Sequence, residues 1–170
     1  MRIHSAWLTP ARYWQASLHS PYKQWVLARG SLTAHLVRLS GGDFKVQVLH
    51  QGWHKPSLNE QQTLNINHAQ VAWIREVALV GQGQRWVTAR SVIPLNALRG
   101  KGKRLRYLGS RSLGSLLFKG GQRGQMWIHA PNPRQKYWTR RSCFYYGGQA
   151  LLVQESFLPA LFESSEFFRL

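Results

Sequence analysis

The segment from Val71 to Pro94 constrains the fold of this chain more than any other stretch of the sequence. It reads VAWIREVALVGQGQRWVTARSVIP, in which residues of high β-propensity flank the turn-forming run GQGQ at 81–84. This pattern predicts a β-hairpin whose tight turn is centred on Gln82-Gly83. Because a hairpin joins antiparallel strands, the sheet that contains this segment is expected to be antiparallel.

One arginine of this hairpin lies on an apolar face. Side chains on a strand alternate between two faces, so Arg75 shares a face with Trp73 and Val77. A two-residue turn at Gln82-Gly83 places Arg75 directly opposite Arg90, and two facing guanidiniums repel each other. Two interpretations are open: the arginines reach into water or pair with distant carboxylates, as arginines near strand ends commonly do, or an anion lies between them. The apolar setting of Arg75 and the scarcity of acidic residues support the anion.

The rest of the chain alternates between hairpin-type strands and short helices. Helix signals occur at 20–28, 31–39 and 112–119, and strand signals occur at 44–50, 125–130, 137–146 and 149–157. The polar segment 51–70 is predicted to be a loop, and the basic segment 95–106 a helical turn followed by a loop. These segments predict an α+β fold with five or six antiparallel strands and about three short helices.

The last predicted hairpin draws attention to Glu155. A turn at Gly147-Gly148 places Arg140 opposite Glu155, which shares a face with the apolar Val153 and Phe157. A carboxylate on an apolar face must be paired or perturbed. It is therefore either the partner of Arg140 in a salt bridge or a group that handles a proton or binds a hydroxyl in an apolar pocket. Glu76 points away from the face of Arg75 and is interpreted as structural.

The charge of the chain restricts its partners. The 170 residues include 23 Lys plus Arg but only 6 Asp plus Glu, a formal net charge of +17. This excess suits nucleic acid, a membrane surface or small anionic substrates. The densest basic run, RGKGKRLR at 99–106, is either a contact for a phosphate or lipid headgroup or a solvated loop. A hydrophobic fraction of 44% predicts a globular chain, and a length of 170 residues suits one domain spanning residues 1–170.

Several other sequence features bear on compartment and cofactors. The single Cys143 excludes an internal disulfide and is predicted to be a core residue instead of a nucleophile. Without a secretory signal or an apolar run of about 20 residues, the chain is expected to be cytoplasmic. His50 and His54 lack a neighbouring Cys or acid, so no metal site is predicted. The run GQGQRW lacks the third glycine of a dinucleotide-binding fingerprint.

Four segments, taken together, resemble the chorismate pyruvate-lyase family, whose members form 4-hydroxybenzoate for ubiquinone. They read WIREVALVGQGQRWVTARSVIP, LGSRSLGSLLF, WTRRS and LLVQESFLPA, and their order and spacing also match across residues 22–160. The resemblance implies a six-stranded antiparallel sheet with helices on one side, and a ligand enclosed beneath helical flaps. It also implies a carbon–oxygen lyase that eliminates pyruvate from chorismate as the first committed step towards ubiquinone.

The resemblance assigns roles to individual residues. Arg75 matches the arginine that holds the ring carboxylate, with help from the backbone amides of Leu113 and, in the first flap, Leu32. Glu155 matches the glutamate that faces the oxygen on the opposite side of the ring, and Arg90 matches a pocket-side arginine near the enolpyruvyl carboxylate. Arg75 and Glu155 are the expected catalytic residues. The resemblance implies no metal, no organic cofactor, chorismate and 4-hydroxybenzoate as ligands, and a monomer.

The chain departs from this family in its strongly basic character and in the Gln- and His-rich segment 51–70. The competing hypothesis is a non-catalytic module of the same fold, which includes ligand-sensing domains of transcription regulators. A net charge of +17 and eight tryptophans would also suit contact with nucleic acid. A sensor usually carries a fused DNA-binding domain, for which this length leaves no room, so no obligatory nucleic-acid partner is expected.

Overall fold

Antiparallel strands dominate the computed structural model, which describes residues 7–13, 20–134 and 136–165. The described residues form one six-stranded sheet in the order β1-β2-β3-β6-β5-β4. The strands are β1 Phe44–His54, β2 Ala72–Gly81, β3 Gln84–Pro94, β4 Gly121–His129, β5 Thr139–Tyr146 and β6 Gln149–Phe157. The helices are α1 Pro10–Tyr13, α2 Ser20–Val26, α3 Leu32–Ser40, α4 Leu58–Leu64, α5 Leu113–Gly120 and α6 Pro159–Ser164, with 3-10 helices at Leu95–Leu98 and Gly100–Arg106.

Both predicted hairpins are present and turn in the same way. The central turn has φ values of 52° at Gln82 and 74° at Gly83, and the last turn has 59° at Gly147 and 76° at Gly148. Two consecutive left-handed residues form the turn type that matches the twist of the flanking strands. The α+β fold class with a six-stranded antiparallel sheet is therefore confirmed.

A bulge in the central hairpin changes the register that its turn alone would give. Leu79 pairs with Val87 while the next residue of β2 pairs with Arg85, so Trp86 is an extra residue on β3. Arg75 therefore faces Ser91. The prediction that Arg75 lies opposite Arg90 was wrong, because one extra residue moves every later side chain of β3 to the other face.

The two faces of the sheet are covered differently. We call the face that carries Arg75 the near face; helices α2, α3, α5 and α6 and the 3-10 helices cover it. One apolar cluster there includes Trp25, Leu36, Val77, Val87, Phe157 and Leu161. A second includes Ile93, Leu105, Leu117, Phe144, Leu151 and Val153. The elements that these clusters anchor surround the cavity described below.

The opposite face, called the far face, carries helix α4 where a loop was predicted. Leu64 of this helix packs against Ala72, Val92 and Leu152. A capping box begins the helix, with Ser57 and Glu60 each bonded to the other's backbone amide. The prediction of a loop over 51–70 was therefore wrong in part, and α4 lies on the side opposite α2, α3, α5 and α6. Cys143 is buried, as predicted.

Candidate active site

A small cavity lies between the near face and the N-terminal ends of α3 and α5. Its volume is about 40 Å³, and four of the five predicted site residues line it: Leu32, Arg75, Leu113 and Glu155. The cavity is bordered by β2, β3 and β6 below and by the two helices above. The fold thus brings together residues that lie far apart in sequence.

Arg75 lies under the cavity and is only 2% exposed. Its Nη1 donates to the side-chain oxygen of Gln51 at 3.0 Å, and its Nη2 donates to the carbonyl oxygens of Gly109 at 2.7 Å and Arg111 at 3.1 Å. These bonds use three of the five guanidinium N–H donors. Among the described residues Arg75 forms no ion pair, and burial lowers the pKa of its guanidinium. A bound anion would offset this desolvation and occupy the remaining donors.

Two helices begin beside this arginine. Leu32 is the first residue of α3 and Leu113 the first residue of α5, and both line the cavity. Ser112 does not cap α5, because its hydroxyl instead lies 2.6 Å from the hydroxyl of Thr33. First-turn amides have no partner within their own helix, and the helix dipole favours a negative charge there. The helix starts and Arg75 together can receive a carboxylate.

Glu155 meets Arg140 as its register predicted. Nε and Nη2 of Arg140 lie 2.8 Å and 2.7 Å from Oε2 of Glu155. Arg140 is fully buried and also donates to the carbonyl oxygens of Val26 and Ala28. Both contacts from Arg140 reach the same carboxylate oxygen, and no hydrogen bond to Oε1 is found within the described part of the chain. The salt bridge is therefore present, and it leaves one oxygen of Glu155 able to act in the cavity.

Besides the hydroxyls of Thr33 and Ser112, two polar side chains on the strands line the cavity and were missed from the sequence: Ser91 and Arg123. Ser91, 4% exposed, faces Arg75 across the β2–β3 ladder. Arg123 of β4 lines the cavity beside the rings of Phe118 and Phe144, whose centroids are 5.7 Å and 5.4 Å from its guanidinium carbon. Ser91 would have been identified from the sequence if the register of β2 against β3 had been predicted correctly. Arg123 gave no signal, because β4 begins four residues earlier than its apolar pattern at 125–130 indicated.

Arg90 lies on the far face, so its predicted place on the pocket side was wrong. Its Nε is 2.7 Å from Oε1 of Glu60 and its Nη1 is 2.7 Å from Oε1 of Glu76. The hydrogen bonds that Arg90 donates to Glu60 contribute most to raising the pKa of Arg90. Glu76 is a structural partner, as predicted. Arg90 is therefore satisfied by the protein itself.

A larger groove, of about 870 Å³, opens to the outside of the two helix starts. Its basic lining residues are Lys45, Lys103, Arg104, Arg111 and Lys119. The groove and the inner cavity share Thr33, Val46 and Ser112. The hydroxyl pair of Thr33 and Ser112 therefore stands at the boundary between a basic outer groove and the inner cavity.

The described residues contain no cluster of three or more His, Cys, Asp or Glu side chains that could hold a metal ion. His50 and His54 do contact each other on exposed β1, with 2.7 Å between their Nε2 atoms. Within the described ranges, no helix has the length and apolar character needed to cross a lipid bilayer.

Comparison with known proteins gives a consistent family match. The family model described as chorismate lyase matches residues 4–167. A protein of Marinobacter nauticus named probable chorismate pyruvate-lyase is 38% identical over 170 residues, covering 91% of this chain and 90% of that protein. A protein of Pseudomonas putida with the same name is 40% identical over 171 residues, covering 95% of this chain and 92% of that protein.

Solved structures share the fold at much lower identity. The possible transcriptional regulator YydK of Bacillus subtilis aligns with a TM-score of 0.53 and 14% identity, over 70% of this chain and 60% of that one. The effector-binding domain of the B. subtilis trehalose repressor aligns with a TM-score of 0.50 and 11% identity, over 74% of this chain and 94% of that one. At such identities the likeness shows the fold alone.

Proposed function

The chain belongs to the chorismate lyase family, and from this membership we propose that it eliminates pyruvate from chorismate to form 4-hydroxybenzoate. One observation supports the proposal most strongly. The buried guanidinium of Arg75, which has no carboxylate partner among the described residues, lies beside two helix starts, and an acidic side chain borders the same cavity from another strand. That arrangement suits an aromatic-ring substrate with a carboxylate at one end and a reacting oxygen at the other.

The proposed reaction needs only a proton transfer and the departure of a leaving group. The bond between a ring carbon and the ether oxygen breaks, and its electron pair stays with the enolpyruvate oxygen. The adjacent ring carbon, which carries the hydroxyl, loses its proton, and the ring becomes aromatic. Enolpyruvate takes up a proton at carbon and becomes pyruvate. Atoms and charge balance without a redox step, so no organic cofactor or metal forms part of the proposal.

Each cavity residue receives a role in this proposal. Arg75 and the first-turn amides of Leu32 and Leu113 hold the ring carboxylate. Glu155 accepts or relays the proton near the ether oxygen through Oε1, the oxygen that Arg140 does not contact. Arg140 positions Glu155 through the contacts to Oε2. The protein therefore works by orienting the substrate and stabilising shifting charge.

The cavity must open for this chemistry. Its 40 Å³ is far below the roughly 300 Å³ or more of ordinary small-molecule sites. We expect the N-terminal ends of α3 and α5 to move apart when ligand enters and leaves. Release of the aromatic product could then limit turnover.

Three further expectations accompany the lyase proposal. The product feeds ubiquinone synthesis, the protein acts as a monomer in the cytoplasm, and it needs no nucleic acid. Gel filtration of the purified protein and fractionation of producing cells test the second expectation directly.

The direct test is to incubate the purified protein with chorismate and measure 4-hydroxybenzoate and pyruvate separately. Equal amounts of both products support the elimination. Arg75→Ala is expected to abolish most of the activity, while a matched Arg90→Ala variant keeps the kcat/KM of the wild type when folded. Absence of product with the wild-type protein, or an unchanged rate in Arg75→Ala, would overturn the proposal.

The alternative is a non-catalytic binder of an aromatic acid, which the likeness to an effector-binding domain favours at the level of fold. Under this alternative the protein binds 4-hydroxybenzoate stoichiometrically but leaves chorismate unchanged beyond its spontaneous decay. Salt-dependent binding of random DNA by the wild type would favour the nucleic-acid version of the alternative.

A further inference from the structure

Three arginines approach the cavity on the near face, and they differ in what balances their charge. Arg140 has Glu155 as its ion-pair partner. Arg75 has three oxygen acceptors from the protein. Arg123 forms no ion pair with any described carboxylate, and its buried Nε has no hydrogen-bond partner in the described part of the chain.

The surroundings of Arg123 make this isolation costly. Burial lowers the pKa of its guanidinium, the charge of Arg140 lowers it further, and Glu155 opposes both. The rings of Phe118 and Phe144 give only a cation–π contact, which is weak compared with an ion pair in the same setting. A cation held in this way is stabilised by an anion that enters the cavity.

The sheet places Arg123 at the end of the cavity opposite Arg75. The strand order from Arg75 runs β2, β3, β6, β5 and then β4, which carries Arg123. Glu155 is on β6, a strand that lies between those carrying the two arginines. If Arg75 holds the ring carboxylate and Glu155 meets the ether oxygen, the group beyond that oxygen points towards Arg123.

We propose that Arg123 binds the second carboxylate of the substrate, the one on the enolpyruvyl side chain, and thereby selects dicarboxylates. This inference rests on the proposed function for the identity of the substrate. It assigns the role that the sequence had given to Arg90 to a residue of a different strand. Because the product retains only the ring carboxylate, Arg123 holds the substrate and has no contact with a charged group of 4-hydroxybenzoate.

The first experiment compares substrate and product in the variants Arg123→Met and Arg123→Lys. In Arg123→Met, kcat/KM for chorismate is expected to fall about 30-fold or more, the loss typical of one desolvated charge contact. The Kd of 4-hydroxybenzoate is expected to stay within about twofold of the wild type, and Arg123→Lys should recover part of the activity. The exposed Arg85→Met removes the same charge elsewhere and is the matched control.

A second experiment does not require turnover. It measures the Kd of 3-(carboxymethoxy)benzoate, which has a ring carboxylate and an ether-linked carboxylate, and of 3-methoxybenzoate, which lacks the second. The wild type and Arg85→Met should prefer the dicarboxylate, while Arg123→Met should lose that preference.

These outcomes separate the inference from the lyase proposal. Equal loss of affinity for both benzoates in Arg123→Met would show a merely structural role and overturn the inference, as would an unchanged preference. A wild type that prefers the dicarboxylate but forms no 4-hydroxybenzoate would overturn the lyase proposal and leave Arg123 as a carboxylate-binding residue.

Discussion

Arg75 and Arg90 lie on neighbouring strands, yet the two faces of the sheet surround them differently. On the far face Arg90 lies between Glu60 and Glu76, both 2.7 Å away. On the near face Arg75 is 2% exposed, and the acceptors found for it in the described part of the chain are all neutral oxygens. On the far face the charge of Arg90 is balanced by two carboxylates of the same chain, which indicates a structural role. The near face keeps part of its charge unbalanced, which is the condition for binding an anion.

Arg141 shows that a guanidinium on the far face can also be satisfied by hydrogen bonds to neutral side chains. Its guanidinium donates to the amide oxygens of Gln154 and Asn59 and stacks over the ring of Trp7. Burial lowers the pKa of Arg141 to about 10. Every hydrogen bond that is found for this guanidinium within the described residues goes to a side chain that belongs to the far face or to α4. Arg141 and Arg123 therefore differ in the hydrogen-bond acceptors around their guanidiniums and not only in how deeply they are buried.

The contrast between the faces is sharpest for the two hairpin arginines. Arg75→Gln should lower kcat/KM for chorismate about 10³-fold, roughly 4 kcal/mol, because it removes a desolvated charge-assisted contact to the ring carboxylate. Arg90→Gln should leave kcat/KM within about twofold at a temperature where it is folded. Steady-state kinetics of both variants would contradict the division into faces if Arg90→Gln proved the more damaging.

The two strand glutamates provide the next comparison. Glu155→Gln keeps an oxygen for Arg140 but cannot accept a proton, so kcat should fall about 10²-fold. Glu76→Gln on the far face should leave kcat unchanged. Single-turnover measurement of product formation tests the chemical step itself; equal rates for wild type and Glu155→Gln would remove Glu155 from the proton transfer.

The far face should instead control stability and its dependence on pH. Burial alone would raise the pKa of Glu60, but the hydrogen bond from Arg90 and the capping bonds at Ser57 outweigh it, and the pKa is lowered. The unfolded chain therefore binds more protons at Glu60 than the folded chain does. Its stabilising contribution is complete above the unfolded pKa of about 4.3 and is lost as pH falls through the lower folded pKa.

Glu60→Gln tests this directly, since glutamine preserves the capping box. We expect the free energy of unfolding at pH 7 to fall by roughly 2 kcal/mol. The loss is no larger because Arg90 keeps its ion pair with Glu76 and is partly exposed to water. Denaturant unfolding at several pH values should show that the difference from wild type shrinks below about pH 4. A constant difference across that window would contradict the assignment to the charge of Glu60.

The smallest effect concerns the boundary of the near-face cavity. Thr33→Val removes the hydroxyl that lies 2.6 Å from that of Ser112 and keeps the shape of the side chain. Loss of one such bond, about 1 kcal/mol, should speed the release of 4-hydroxybenzoate roughly fivefold. Stopped-flow dissociation measures this rate, with Ser110→Ala in the outer groove as control. Slower release in Thr33→Val would show that the pair does not hold the cavity closed.

Local rules predicted both hairpins and their turns, but they gave the correct register only for the hairpin that contains Glu155. Alternation and the turn at Gly147-Gly148 placed Glu155 opposite Arg140 because no bulge lies between the turn and that pair. In the central hairpin the bulged residue, Trp86, is fully buried in the apolar cluster of the near face. The ring of Trp86 lies so close to Gly81 that even a Cβ there would overlap it. The alternation of apolar and polar residues in the sequence does not reveal such a contact, so it could not predict the bulge.

Two other differences have separate causes. Helix α4 was missed although its capping signature, Ser57 followed by Glu60, is readable in the sequence; the polar composition of 51–70 outweighed it. Arg123 was missed because β4 begins before its apolar pattern, and a register shift between Arg123 and Met126 adds to the irregularity of this strand. The edge of a sheet tolerates such irregularity, so alternation there does not report which face a side chain takes.

The extra residue at Trp86 decides which side chains of β3 face the cavity. When one residue is added or removed at this position, every side chain from Val87 to Pro94 moves to the opposite face of the sheet. A relative whose alignment requires a one-residue gap within 81–87 should therefore present the residue equivalent to Arg90 to the ligand. In such a relative the residue equivalent to Ser91 would join the buried ion-pair network.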